Sequence, residues 1–184
     1  MKNNRKARSW AGSASRNMAR VMVVAFVALT AVGTASAQDS SDLQFKGGIG
    51  VQPISGVSAT GAVNLNLVRG VSPAGPWRIA ALNVGVRSDG HIIAVGRGLL
   101  LAAGNGIGTN GGQKVHATLF CGPAATATSH SSTAAGVALQ PNGDFAIDDF
   151  LSPLPPVACT NPVLLIRNAG GLWFAAGIQK LEQN

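Results

Sequence analysis

The amino-acid sequence predicts an all-β fold, an antiparallel β-sandwich or a barrel-like relative of it, with about eight short strands. Short segments in which apolar and polar residues alternate recur along the chain, and this period of two is typical of half-buried strands. Segments rich in Gly, Pro, Asn and Asp separate them at short intervals, and no segment shows the apolar period of an amphipathic helix. Most side chains are small and few are charged, which suits closely packed sheets better than a helical bundle.

Residues 1–37 are predicted to form a secretory signal peptide that is cleaved after Ala37. Six Lys and Arg residues and no acid lie within residues 1–20, and an apolar run of 12 residues follows at 21–32. Ala35-Ser36-Ala37 provides the small residues that signal cleavage requires. The apolar run is shorter than the roughly 20 residues that span a bilayer. We therefore expect a secreted or periplasmic protein with no stable membrane insertion after signal cleavage.

The charge of the chain after this segment is close to zero. Eight of the 14 Lys and Arg residues follow residue 37 and are balanced against seven Asp and Glu residues, so the formal net charge of residues 38–184 is +1. These cations are scattered, whereas a protein that binds nucleic acid clusters its cations to displace the counterions of the phosphates. Nucleic acid is therefore excluded as a partner, and so is electrostatic attachment to an anionic membrane.

The predicted mature chain has the length of one domain. Within it we predict a flexible N-terminal segment at residues 38–45, a single β-sandwich domain at residues 46–180 and a short tail at residues 181–184. No internal repeat of fixed period is present.

The chain has two cysteines, Cys121 and Cys159. An even count in an exported protein indicates a disulfide; two buried thiols or a reactive pair are the alternatives. The bond would enclose 37 residues, and chain entropy predicts that it stabilises the fold by about 3.5–4 kcal/mol.

Turns set the order of the predicted strands. Residues 77–86 and 91–95 flank the turn at residues 88–90, and a change of phase at residues 80–81 indicates a β-bulge. Lys114–Cys121 alternates most regularly, with Val115, Ala117, Leu119 and Cys121 on one face. The other predicted strands are 62–69, 99–103 (a buried strand or a short core segment), 137–139 and 145–147 joined at Asn142-Gly143, 163–167 and 172–178.

Two loops form the candidate binding surface. Residues 104–113 are rich in glycine, and residues 152–162 are stiffened by prolines and tied down at Cys159. Such a preorganised loop loses little entropy on binding, although residues 152–162 are also consistent with a rigid crossover between sheets. If both loops fall at one end of the sandwich, they form one contact surface. Its candidate residues are Asn105, Ile107, Thr109, Asn110, Leu154, Pro155, Pro156 and Asn161.

The histidines are the candidate metal ligands. His91 and His116 lie near strand starts and would meet across a sheet, with an Asp as third ligand. The alternative is that both, together with His130, are solvated and bind no metal. No cofactor is predicted, because the glycine motif at residues 106–111 is followed by a strand and not by the helix that a dinucleotide site needs.

Four segments of the chain resemble a group of small secreted bacterial proteins of unknown function: Val115-His-Ala-Thr-Leu-Phe-Cys121, Gly143-Asp-Phe-Ala-Ile147, Cys159-Thr-Asn-Pro-Val-Leu-Leu-Ile-Arg167 and Trp173-Phe-Ala-Ala176. More distantly, Gly61-Ala-Val-Asn-Leu-Asn-Leu67 and the Gly-Asn-Gly loop before Lys114 are similar to chordin-type (CHRD) domains. That resemblance implies an immunoglobulin-like or superoxide-dismutase-like sandwich. The His-x-His element of those domains is absent here, where Leu99-Leu-Leu101 stands, so no histidine site is carried over.

Three functions fit these observations. The first is an exported, non-enzymatic binding or surface-interaction module whose partner is an unknown extracellular protein or surface ligand. The second is a metal-dependent extracellular enzyme that uses His91 and His116. The third is a structural matrix or coat protein that associates through exposed strand edges.

Overall fold

The structure, a computed structural model, describes residues 42–52 and 66–181, and every regular element within them is a β-strand. The prediction of an all-β fold is therefore confirmed. Eight of the eleven strands have four or more residues, in agreement with the expected number. The strands are β1 Leu43–Gly50, β2 Trp77–Arg78, β3 Ala81–Val86, β4 His91–Arg97, β5 Leu100–Leu101, β6 Lys114–Cys121, β7 Thr128–Ser131, β8 Val137–Ala138, β9 Phe145–Phe150, β10 Val163–Arg167 and β11 Trp173–Gln179.

Nine of these strands form one antiparallel sheet, in the order β7-β6-β10-β11-β1-β3-β4-β9, with β8 paired to the start of β6. Because β8 leads directly into β9, at the other end of this order, the sheet curls round until it nearly closes. Its two halves enclose one core that receives buried side chains from both. The antiparallel sandwich-like architecture follows from this closure. The short strands β2 and β5 form a separate pair. Trp77 of β2 stacks on Phe174 of β11, with their ring centroids 4.3 Å apart.

The predicted turns are present, although one of them joins strands that diverge. At the β3–β4 hairpin, Gly90 has a φ of 83° and donates its N–H to the Arg87 carbonyl. Gly143 likewise has a φ of 81°, and next to it Gln140 N–H bonds to the Asp144 carbonyl. Beyond that contact β8 pairs with β6 while β9 pairs with β4. The predicted phase change at residues 80–81 separates β2 from β3.

Strand β6 is buried on both of its faces. Ala117 and Leu119 point into the core, as the alternation predicts, but Thr118 on the opposite face is also fully buried. Residues 66–74 lie beside β11, where Trp173 Nε1 donates to the Asn66 carbonyl at 3.0 Å. Local alternation reports only the polarity of neighbouring residues, so it does not reveal that both faces of a strand are covered.

Strand β1 begins inside the segment that the sequence assigns to a flexible N-terminus. Leu43 pairs with Val86 and Phe45 pairs with Val84, and the Phe45 side chain is 0% exposed. The prediction of flexibility at residues 38–45 is therefore wrong for residues 43–45. The backbone of these residues is held by the β1–β3 ladder, which joins segments about 40 residues apart in sequence.

Several predicted segments lie outside the described residues: the signal peptide at 1–37, residues 38–41, residues 62–65 of the strand predicted at 62–69, and residues 182–184 of the tail. The described half of that predicted strand, residues 66–69, forms no strand, and Val68 makes only an isolated bridge with Val71. In residues 42–52 and 66–181, no helix is long and apolar enough to cross a membrane.

Candidate functional site

The two predicted surface loops lie at opposite ends of β6. Loop 104–113 leads into Lys114, which starts the strand. Loop 152–162 is joined to the last residue of the strand by the Cys121–Cys159 disulfide, and Gly122 N–H bonds to the Thr160 carbonyl at 2.7 Å. The first and last of the eight residues of β6 are seven steps of about 3.3 Å apart, which separates the two ends by about 23 Å. The two loops therefore do not lie at one end of the sandwich, which was the condition for one contact surface, whereas the predicted disulfide is confirmed.

Loop 104–113 is a closed turn with its polar groups engaged. The Asn110 amide donates to the carbonyls of Leu139 and Gln140, both at 3.0 Å, and its oxygen accepts the Gly112 N–H. Asn110 is half-buried. Its main role is therefore to hold the loop together, and it offers little surface to a partner. Asn105, Ile107 and Thr109 are exposed, and Ile107 is the large apolar residue among them, 64% exposed.

Loop 152–162 is held at both of its ends. Ser152 and Ser131 exchange two backbone hydrogen bonds of 2.9 and 3.0 Å. The Pro153 carbonyl lies 2.8 Å from Nδ1 of His130, which must carry the proton because a carbonyl only accepts. At the other end of the loop, Arg69 Nη2 donates to the Asn161 carbonyl at 2.7 Å. Together with the disulfide, these contacts fix the loop before any partner arrives.

Large apolar side chains project from this fixed region into solvent. Phe150, Leu154 and Val157 are 59%, 61% and 79% exposed. We call these three residues the apolar end surface. Pro156 and Asn161 are also exposed, but Pro155 is buried, so the prediction that Pro155 belongs to the contact surface is wrong. The ring of Pro155 is turned inward beside Leu154, close to Gly90.

His91 supports this surface. Its Nε2 atom lies 2.6 Å from Asp148 Oδ1, and its ring stacks on Phe150 with centroids 4.9 Å apart. Gly90, the preceding residue, lies close to Leu154, whose Cδ1 would be 2.7 Å from a Cβ at this position. The turn before β4 therefore contacts both Phe150 and Leu154.

His116 occupies a different environment and does not meet His91. His116 is 5% exposed on the outer face of β6, and its Nδ1 atom has no hydrogen-bond partner within residues 42–52 and 66–181. Burial, and to a smaller degree the charge of Arg167, lowers the pKa of His116 below its ordinary value. Across the described ranges, no three His, Cys, Asp or Glu side chains come together as metal ligands would.

The burial of His116 predicts a dependence of stability on pH. The unfolded chain takes up a proton near pH 6.5, its ordinary value, whereas the folded chain does so only at lower pH. The unfolded state therefore binds more protons in this range, and the free energy of unfolding should fall as pH drops below 6.5. Urea denaturation at a series of pH values, from neutral pH to below 6.5, should show this decrease in the free energy of unfolding. His116→Gln should reduce the slope; an unchanged slope would show that other groups cause it.

Two clefts beside β9 do not form an enclosed ligand pocket. The smaller, of about 110 Å³, has Asp149 and Thr133 at its rim. Hydrogen bonds from the Thr133 N–H and hydroxyl, and a weaker one from Phe150 N–H, lower the pKa of Asp149. The larger, an open groove of about 600 Å³, runs past Val95 and Phe145. Drug-sized ligands need enclosed pockets of roughly 300–1,000 Å³, so neither cleft offers a strong small-molecule site.

Sequence reasoning missed Phe150, Val157 and His130. Phe150 shares its parity along β9 with the exposed Ala146 and Asp148, opposite to the buried Phe145 and Ile147, so the alternation contained this signal. The burial of His130 had no local signal, since it lies among serines and its partner Pro153 is 23 residues away. The expectation that all three histidines are solvated is wrong for His116 and His130, which are 5% and 4% exposed.

No protein-family model matches this chain, and neither the curated proteins nor the solved structures provide a match. No functional residue can therefore be carried over to it from a relative.

Proposed function

We propose that the mature chain is an exported, non-enzymatic binding module that holds an extracellular protein through the apolar end surface. One observation carries this proposal: Phe150, Leu154 and Val157 are 59–79% exposed on strand β9 and on a loop that is anchored at both ends. Covering apolar area releases about 25 cal/mol for each Å² removed from water. A fixed loop retains more of that free energy on binding, because little conformational entropy remains to be lost.

Export is supported by two independent features. The N-terminal 37 residues have the charged, apolar and small-residue order of a signal peptide. The Cys121–Cys159 disulfide joins the loop to β6, and such bonds persist in oxidising compartments. The partner is accordingly expected outside the cytoplasm.

The two alternative functions receive less support. A metal-dependent enzyme needs His91 and His116 at one centre, whereas His91 is paired with Asp148 and His116 is buried on another strand. A matrix protein that assembles through strand edges needs open edges. The end strand β7 is engaged at Ser131, which exchanges two backbone bonds with Ser152, and at the other end strand the Asp149 side chain of β9 accepts a 2.8 Å bond from Thr133 N–H. Sedimentation at increasing concentration would reveal such assembly.

Site-specific cross-linking in the exporting cell tests the binding proposal. A photoreactive residue at position 154 should yield a defined adduct with a protein outside the cytoplasm, whereas one at position 107 should not. Ile107 is the matched control because it is 64% exposed at the opposite end of β6. Phe150→Ser should reduce the adduct at least about tenfold, as the loss of an interface anchor does. Equal adducts at both positions, or none at position 154 in the folded protein, would contradict the proposal.

A further inference from the structure

A group of polar side chains lies on the outer face of β6. It is a different site from the apolar end surface. His116 and Thr118 project from the face of β6 opposite to the core-facing Ala117 and Leu119. Arg167 of β10 is in register with His116, and Ser131 of β7 is in register with Thr118. Directly paired residues of antiparallel strands share a face. We call these four residues, His116, Thr118, Ser131 and Arg167, the outer polar cluster.

Hydrogen bonds hold the Arg167 guanidinium in place. Its Nε and Nη2 atoms donate to the Gly171 carbonyl at 3.1 and 2.8 Å, and Nη1 donates to Thr118 Oγ1 at 3.4 Å. The Thr118 hydroxyl in turn lies 2.9 Å from the Ser131 hydroxyl. A guanidinium has five N–H donors, so these bonds hold the group in a set orientation and leave two donors without a partner among the described residues.

The cluster carries positive charge without an acid to balance it. Within the residues that the structure describes, the one ion pair is His91–Asp148, on the β4–β9 side of the sheet. Arg167 is half-buried, and burial lowers the pKa of its guanidinium. Lys114, two residues before His116 on the same face of β6, adds a second, exposed cation.

The cluster also contains an unsatisfied buried atom. Among the described residues, His116 Nδ1 has no hydrogen-bond partner although His116 is 5% exposed. A buried polar atom without a partner is destabilising, and buried polar groups in proteins are nearly always paired. A purely structural role for Arg167, closing the turn between β10 and β11, explains the bonds to Gly171. That structural role does not explain why the Arg167 charge has no acidic partner among the described residues. It also does not explain why His116 Nδ1 has no hydrogen-bond partner there.

We propose that the outer polar cluster is a receptor for an oxyanion, a carboxylate or phosphate group, that Arg167 binds with its free N–H donors, supported by Lys114 and His116. The planar guanidinium matches two oxygens of such a group. The anion neutralises the half-buried charge, and His116 supplies a further donor in the tautomer that is protonated at Nδ1. This site is independent of the apolar end surface, so either proposal can fail alone.

Nuclear magnetic resonance titration of the purified exported protein tests this site. Sodium acetate and inorganic phosphate are the probes, and sodium chloride at equal ionic strength is the reference. We expect a saturable shift of the His116 ring signals, assigned with His116→Gln, for at least one oxyanion. The two probes distinguish a carboxylate from a phosphate preference. A shift that follows ionic strength and is equal in chloride would overturn the proposal.

Variants of Arg167 make the test specific. Arg167→Gln should weaken oxyanion binding at least about tenfold, because a charge-assisted pair is lost. Arg167→Lys keeps the charge but not the planar fork, so it tests geometry and provides a second readout if the Gln variant does not fold. Arg87, an exposed cation at the β3–β4 turn, is the matched control, and Arg87→Gln should leave binding unchanged. Binding that survives both Arg167 substitutions would also overturn the proposal.

Discussion

Replacing Phe45 with alanine should lower the free energy of unfolding by about 3–5 kcal/mol, the range for a fully buried phenylalanine. The Phe45 side chain is 0% exposed, and its strand lies between β3 and β11 within the sheet. Phe45 pairs with Val84 on one side and with Gln179 on the other. Removal of its ring leaves a cavity that both neighbouring strands would have to fill. Urea denaturation of the exported protein at neutral pH measures the change.

Ile49 on the same strand provides the control. It is 53% exposed, so Ile49→Ala should cost about 1 kcal/mol or less. The comparison decides between two accounts of the N-terminal segment. If Phe45→Ala lowers the free energy of unfolding no more than Ile49→Ala does, Phe45 is not buried between β3 and β11. The prediction that residues 43–45 are flexible would then stand.

The difference between β1 and the other strands shows where local patterns lose their information. Lys46-Gly47-Gly48-Ile49-Gly50 contains three glycines, which have no side chain to place on either face, so the period of two disappears. The close approach of neighbouring backbone requires one of these glycines. A Cβ on Gly50 would lie 2.0 Å from the Trp77 carbonyl oxygen. The β1 strand is thus specified by tertiary contacts that the sequence of the segment does not display.

The two glycine turns were predictable because their signals are local. Asp89-Gly90 and Asn142-Gly143 place glycine where a positive φ is required, and both turns form where expected. Pairing between distant strands is different. Strand β6 contacts β10 through residues about 45 positions away, and β8 leaves the Asn142-Gly143 turn to join β6 instead of β9. Turn chemistry sets the reversal of the chain but not the partner that each strand then finds.

The separation of the two loops was accessible from the sequence. Lys114 and Cys121 bound one extended strand, which spans about 23 Å at 3.3 Å per residue. A disulfide from Cys121 to Cys159 then places residues 152–162 at the far end of that strand from residues 104–113. The exposure of Val157 and the burial of Pro155 depend on how the loop packs against residue 90, and no local pattern reports that.

Replacing Cys121 and Cys159 together with alanine should lower the free energy of unfolding by about 3.5–4 kcal/mol. The cysteines are 38 positions apart, and chain entropy assigns a loop of this size that amount of stabilisation. Because domains of this kind have a total stability of about 5–15 kcal/mol, we expect the variant to remain folded. Urea denaturation of the oxidised protein and of the variant gives the difference. The wild-type protein kept in reductant should match the variant, and a variant as stable as the oxidised protein would contradict this account.

The same variant should keep most of its partner binding, because Phe150 and Leu154 of the apolar end surface are held by contacts other than the disulfide. The Ser131–Ser152 bonds and the 2.8 Å contact between His130 and Pro153 fix the part of the loop that carries Leu154. The disulfide instead anchors the part at Thr160, where the Gly122 N–H bond should lose its protection from hydrogen exchange. We therefore expect the cross-link at position 154 to persist within about threefold while the Gly122 amide exchanges faster. A cross-link lost in step with stability would show that the surface depends on the disulfide and not on its own hydrogen bonds.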